Sequence, residues 1–317
     1  MSKKIFLTAV LCFVPLLFAC TGEVKDLLRI KKENDPEKRA RLFDRMQILA
    51  DRTTKEEFDR FDCDVKIKTN NPLLRFYDIT LDHIKEDIPK TAVAPGKVAI
   101  WYLYNIGFII KTPTVCFGVD IHHRRAKELA GLLDFLVVTH NHNDHYNLPL
   151  MYELARKRKP VVSNFFPNAY YTKATEYTHN ISGVTIHCGE ADHNKVLQKF
   201  TMPMEIICPT GDKNFVFFTS GDCFSELFLH RKSENIDLYA VHPFCGMKPQ
   251  YAAKKLAPAM TFIVHLHEMG HDVNRWRWTV DNGRSVQEVF RQENLNSYLP
   301  AWGEKFIWNG EKILTCQ

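Results

Sequence analysis

Thr139-His140-Asn141-His142-Asn143-Asp144-His145-Tyr146-Asn147 follows directly on the apolar run 135–138 and packs three histidines and an aspartate into six positions. The run reads as a buried strand, and the segment after it as a metal site at the strand's end. Side chains alternate along a strand, so His140 and His142 leave it on one side and can meet one cation. Asp144 and His145 lie past the turn and can face a second. Imidazole nitrogen with a little carboxylate suits zinc, and also manganese, iron or nickel, whereas calcium and magnesium prefer all-oxygen shells. Chance assembly of H-x-H-x-D-H behind a buried strand is improbable.

This pattern, His140-x-His142-x-Asp144-His145, resembles the signature of the metallo-β-lactamase superfamily, and the resemblance extends over roughly 98–306. It implies an α/β fold built as a four-layer αββα sandwich, a pair of divalent transition metal ions (zinc first, manganese as the alternative) and a hydrolytic reaction. The pattern is nearest to the branch containing L-ascorbate-6-phosphate lactonases and N-acylphosphatidylethanolamine-type phosphodiesterases.

Further ligands are sought at later strand ends. The run 184–187 leads to both His187 and His193, and the residues alone leave the two open; the resemblance favours His193, after the short loop that follows the strand. The run 214–219 stops at Ser220-Gly221-Asp222-Cys223, where glycine lets the chain turn sharply. By resemblance Asp222 is the bridging carboxylate, with Cys223 kept as a core thiol. His265 and His267 share one face of the last strand, so periodicity cannot separate them, and the resemblance favours His265. It thus implies that His140, His142 and His193 hold one ion, that Asp144, His145 and His265 hold the other, and that Asp120 orients a ligating histidine from behind. His242, after the strand 236–241, is expected as a proton donor or substrate contact, or as a structural histidine beside Pro243. Arg275 and Arg277 alternate with Trp276 and Trp278, a loop that suits an anionic or sugar-like group or else a solvated strap packing its tryptophans inward.

No nucleophile elbow of the G-x-S-x-G kind is present, so the attacking group is expected to be water, oriented by Asp144, acting on a lactone, ester or phosphodiester. The rival readings are a β-lactamase proper, a nuclease of the same fold, and an envelope binding protein that keeps the fold without catalysis.

The remaining sequence sets the context. The chain has 317 residues, 45% hydrophobic and 25% charged, an ordinary globular balance. The formal net charge of +5 falls to +3 if Lys3 and Lys4 are removed with a signal peptide, far from the excess of a nucleic-acid binder. Residues 1–19 have the basic start and short apolar run of a secretory signal, and Leu17-Phe18-Ala19-Cys20 looks like a bacterial lipobox. The expectation is a lipoprotein of the bacterial envelope, anchored in the outer membrane through acylated Cys20. Residues 20–95 read as a tether and helical extension with a cap over the active site as one role, and 96–317 as the hydrolase domain. Helices are expected over 124–133 and 148–158. The cysteines form no disulfide framework.

Overall fold

The structure, a computed structural model, describes residues 22–172 and 176–316, so the signal peptide and Cys20 lie outside the described residues. Among the described residues fourteen strands form two mixed sheets. The first contains β1 (Val98–Tyr102), β2 (Phe108–Lys111), β3 (Cys116–Val119), β4 (Phe135–Val137) and β5 (Val161–Val162), with β13 (Glu304–Trp308) and β14 (Ile313–Thr315), in the order β14-β13-β1-β2-β3-β4-β5. The second runs from β6 (Tyr177–Ile181) through β7 (Val184–Cys188), β8 (Met204–Pro209), β9 (Asn214–Thr219), β10 (Ile236–Val241) and β11 (Pro258–Ile263) to β12 (Ser297–Tyr298). Hairpin-connected strands pair antiparallel, as β1 with β2 and β8 with β9. Where longer connections intervene, pairing becomes parallel, as β3 with β4 and β10 with β11.

The two sheets meet face to face. Phe108 of β2 lies 5.3 Å, ring to ring, from Phe217 of β9, and Phe306 of β13 lies 4.6 Å from Phe262 of β11. Helix Leu148–Arg156 packs on β4 and β5, while helices Pro249–Leu256 and Val280–Gln292 pack on β10 and β11. The architecture is therefore the four-layer αββα sandwich expected from the sequence. The parallel strands of each sheet end toward one rim, where their following loops converge.

One expected helix is absent. Residues 124–133 form only a short 3-10 turn, Ala126–Gly131, closed by bonds such as Glu128 N to Arg125 O at 3.0 Å. The two arginines before it, Arg124 and Arg125, reach instead to Asp78 and Asp82 of the N-terminal region.

That region is not a tether where it is described. Residues 22–30 are already helical, with Leu27 and Ile30 fully buried. Helices Pro36–Arg52, Lys55–Cys63 and Pro72–Lys90 follow, their first amide groups capped by Asp35, Thr54 and Asn71. Proline in the first turn of two of them removes a donor that would have been unsatisfied. The longest lays Phe76 against Trp302 and Tyr77 against Tyr104. No helix among the described residues is long and apolar enough to cross a membrane.

A buried ion pair joins the extension to the loop after β3. Asp62 Oδ2 lies 3.4 Å from His122 Nε2, and Asp62 Oδ1 accepts the Tyr77 hydroxyl at 2.9 Å. Burial works against charge on His122, but the Asp62 carboxylate outweighs it and raises the ring to about 9. Burial likewise opposes ionisation of Asp62, and the facing imidazolium still holds that carboxyl below its usual range. The histidine's contribution to stability is therefore complete below an unfolded-state value of about 6.5 and is lost as pH rises through about 9. The carboxylate's contribution is present above about 3.9 and is lost as pH falls. Urea unfolding of the parent and of His122→Gln across this range is expected to show a difference that is largest between about pH 4 and 6.5 and shrinks as pH rises toward about 9. A constant difference would reject the pair.

Candidate metal centre

β4 ends at Val137, and two residues on, the Thr139 amide and hydroxyl are held by Asp120, the residue that follows β3. Asp120 Oδ1 accepts the Thr139 amide at 2.7 Å, and Oδ2 accepts the Thr139 hydroxyl at 2.7 Å and lies 3.1 Å from His145 Nδ1. The histidines thus stand on an irregular loop beyond the strand, not on the strand itself, and this clamp gives the loop its shape. Asp120 is fully buried with a left-handed backbone at φ 44°, a conformation that an L-residue holds only against a cost. With its Nδ1 engaged, His145 points Nε2 into the centre.

Asp222 stands at the middle. Gly221, at φ 50°, lets the chain turn there, and a Cβ on it would come within 2.9 Å of Thr139 and Thr201. Asp222 Oδ2 faces His193 Nε2 at 3.3 Å and His140 Nε2 at 3.7 Å. Asp222 Oδ1 faces the opposite way, 3.3 Å from His145 Nε2 and 3.9 Å from His265 Nε2. His142 completes the first side, its ring 4.5 Å from that of His193. Asp144 completes the second, with Oδ2 3.0 Å from His265 Nε2. The ligand atoms of His140, His142, His193 and Asp222 all lie within 4.8 Å of one another, as do those of Asp144, His145 and His265.

Several of these atoms have no hydrogen-bond partner although they are buried: Nε2 of His140, His145, His193 and His265, and Oδ1 of Asp222. A cluster of orphaned acceptors costs folding free energy unless a cation takes their lone pairs. Burial and the neighbouring His145 hold His140 well below the usual histidine range, so it is neutral, the form that ligates. Burial opposes charge on His145, but Asp222 and Asp144 outweigh it and push its proton affinity up. The potential that would hold a proton there would equally hold a metal cation.

The alternatives left open by the sequence separate in space. His187 lies on β7 beside Thr178, 2.9 Å from its hydroxyl, away from the cluster. His267 turns its Nε2 to Gln47 Oε1 at 2.7 Å and joins the extension to the core. Cys223 is buried and bonds the carbonyl of Ser225. His265 is held at φ 63° by its amide's bond to Asn105 O at 2.8 Å.

Three expectations change. Arg277 does not face the site: its guanidinium donates to the carbonyls of Ala50, Thr53, Met269 and His271 and is 5% exposed. A fork already satisfied by backbone carbonyls has nothing left for an anion. Arg275 lies over the Trp276 ring at 5.6 Å, and neither arginine lines the cavity above the cluster. Arg277→Ala is accordingly expected to lower stability by about 3 kcal/mol, because it leaves four buried backbone carbonyls without their charged donor, without a selective rise in KM for anionic substrates. Thermal unfolding beside steady-state kinetics checks this. His242 changes role as well. It stacks on His265 at 3.8 Å with the rings 6° apart, and burial together with His265 drives its proton affinity well down. A neutral ring is a poor acid, so the proton-donor role recedes, while the ring still lines the cavity where a substrate contact would stand and its ligand atom groups with those of Asp222 and His265.

Sequence reasoning passed over Asn105, Glu268 and His271. Asn105 Nδ2 donates to the carbonyl and the Oδ2 of Asp144, at 3.0 and 3.1 Å, and so aims that carboxylate. Its signal was an asparagine in a tight turn, here at φ 57°. Buried Glu268 takes the Gly270 amide at 2.8 Å and lies 2.6 Å from His271 Nδ1. Both line the cavity, which encloses 890 Å³.

No protein-family model matches the sequence, and no curated protein does. Among solved structures the chain is similar to Igni18, a metallo hydrolase from the archaeon Ignicoccus hospitalis, at 14% identity over 67% of this chain and 98% of that one, TM-score 0.48. It is similar to CmlA, a diiron β-hydroxylase from Streptomyces venezuelae, at 9% identity over 71% of this chain and 55% of that one, TM-score 0.49. It is similar also to the metallo-β-lactamase fold protein YhfI from Bacillus subtilis, at 18% identity over 67% of this chain and 98% of that one, TM-score 0.45. Likeness of this degree leaves the reaction and the substrate to be argued from the site.

Proposed function

We propose that the chain is a dinuclear metal-dependent hydrolase of the metallo-β-lactamase type, acting on a lactone, ester or phosphodiester. One observation carries the reading: two sets of buried, unpartnered ligand atoms face the two oxygens of Asp222 on the floor of a substrate-sized cavity. His140, His142 and His193 would hold one divalent ion, Asp144, His145 and His265 the other, with Asp222 shared. Imidazole with carboxylate favours zinc, with manganese as the alternative.

Ions bound there would supply hydroxide at neutral pH and polarise the scissile oxygen. The protein's own groups do the rest. Asn105 fixes Asp144, whose carboxylate can orient an attacking water. Asp120 fixes His145. His242 walls the second side beside His265 and is available to it as a further ligand. Among the described residues, Cys223 and Cys245 beside the cluster both turn their thiols to backbone carbonyls and offer no nucleophile to it.

Metal-replete protein is expected to contain about two transition ions per chain, and chelation to abolish turnover of a panel of lactones, phosphodiesters and β-lactams. Turnover that survives exhaustive chelation and Asp144→Asn would sink the reading. Activity confined to β-lactams would move only the substrate. The lipobox-like 17–20 segment adds attachment to the bacterial outer membrane through Cys20, for which Cys20→Ser with cell fractionation is the test.

A further inference from the structure

The cavity over the cluster has walls from two sources that are far apart in sequence. Helix Lys55–Cys63 of the extension brings Phe58 to it, and the core brings Phe224, Phe244, Trp276 and Trp278. The Trp278 ring lies on that of Phe244 at 4.4 Å, a stacked pair. Trp276 is 57% exposed and held at φ 71°, a left-handed backbone rare for a bulky residue. A strained, exposed indole at a cavity mouth costs free energy that a bound ligand can offset.

Every ionic group in the walls already has a partner. Lys55 pairs with Asp59, Asp62 with His122, and Glu268 with His271. Among the described residues Lys55 is the sole lysine or arginine lining the cavity. A charged substrate body would therefore meet no unpaired lysine or arginine in these walls, whereas an apolar body would cover aromatic faces.

We propose that this site selects a substrate whose body is uncharged and apolar, an acyl or aryl group gripped between Phe58 of the N-terminal extension and the Trp276 loop, with only its scissile group over the cluster. The extension is then part of the substrate site. This rests on the hydrolase reading and deepens it, replacing the anionic substrate expected from Arg275 and Arg277.

The test uses the full chain loaded with zinc and two p-nitrophenyl esters of equal length, the hexanoate and the half-ester of adipate, which ends in a carboxylate. The hexanoate is expected to win by about tenfold or more in kcat/KM, through KM, in line with apolar-pocket discrimination. Phe58→Ala and Trp276→Ala are expected to collapse that ratio, and Phe58→Leu to restore most of it. Preference for the adipate ester, or a ratio untouched by both alanine variants, overturns the proposal. A second measurement stands apart from turnover: quenching of tryptophan fluorescence by an aliphatic methyl ketone and by its terminal carboxylate analogue. Tighter binding of the ketone supports the apolar site even if neither ester is hydrolysed, in which case the hydrolase reading alone fails. Equal or tighter binding of the carboxylate overturns the proposal, whatever the esters do.

Discussion

Asp222→Asn is expected to lower turnover by more than about 100-fold, beyond the 10- to 100-fold typical of residues that only orient a ligand. Both oxygens of this carboxylate are committed, Oδ2 toward His140 and His193 and Oδ1 toward His145 and His265. An amide keeps the shape but loses the charge and one of the two acceptor atoms. Bound metal is expected to fall from about two ions to one or fewer, read by elemental analysis. Zinc should also raise the unfolding midpoint of the parent far more than that of the variant, because a ligand that binds only the folded state stabilises in proportion to its affinity. Asp120→Asn is the comparison. It keeps the ligands and one acceptor for the Thr139 amide but replaces the oxygen that faces His145 and the Thr139 hydroxyl, so a loss within the 10- to 100-fold range is expected. A variant at position 222 that retains two ions and activity within tenfold of the parent would show that the carboxylate does not bridge.

Arg124→Met is expected to cost about 3–5 kcal/mol, the range for removing one partner of a buried charged pair. The guanidinium is buried over the Phe61 ring at 3.5 Å. Nε and Nη2 grip both oxygens of Asp78, at 3.0 and 2.9 Å. Nη1 meets the carbonyls of Phe61, Asp64 and Ile67, which end the helix carrying Phe58 and lead away from it. One side chain thus ties the loop after β3 to two helices of the extension. Burial already pushes the Asp78 carboxyl up, and loss of the arginine would push it further. Arg124→Lys is expected to recover little, since an ammonium cannot reproduce a planar fork shared among six acceptor atoms. Urea unfolding measures the stability. If helix Lys55–Cys63 walls the substrate cavity, KM for the apolar ester should rise in folded Arg124→Met even where kcat is preserved. A loss below about 1 kcal/mol would mean that the extension is held by packing alone.

The segment from His140 to His145 was legible from the sequence because its information is local. A buried strand, the turn after it and four side chains of metal-ligating type are adjacent in the chain, and their residue types alone specify cations as what they suit. Strand runs such as 214–219 and 236–241 were legible for a similar reason, since continuous apolar stretches between turn residues can bury both faces. Residues 124–133 misled because their apolar spacing fits a helix, while Arg124 and Arg125 are drawn to carboxylates about forty residues earlier.

The rest was decided by tertiary structure. His265 and His267 sit two positions apart with equivalent surroundings in sequence, yet the Asn105 carbonyl aims one at Asp144 while Gln47 takes the other. Arg277 and the two tryptophans beside it read as one anion-binding loop. The helix end at Ala50 and Thr53 takes up the guanidinium and leaves the indoles to the cavity. The same holds for Phe58, which carries no motif and becomes a cavity wall only because its helix docks on the sandwich. Chain-local chemistry determines which atoms can bind a metal. Which of them share one centre, and what surrounds it, depends on contacts between residues tens to hundreds of positions apart, and the pattern within any one segment does not encode those.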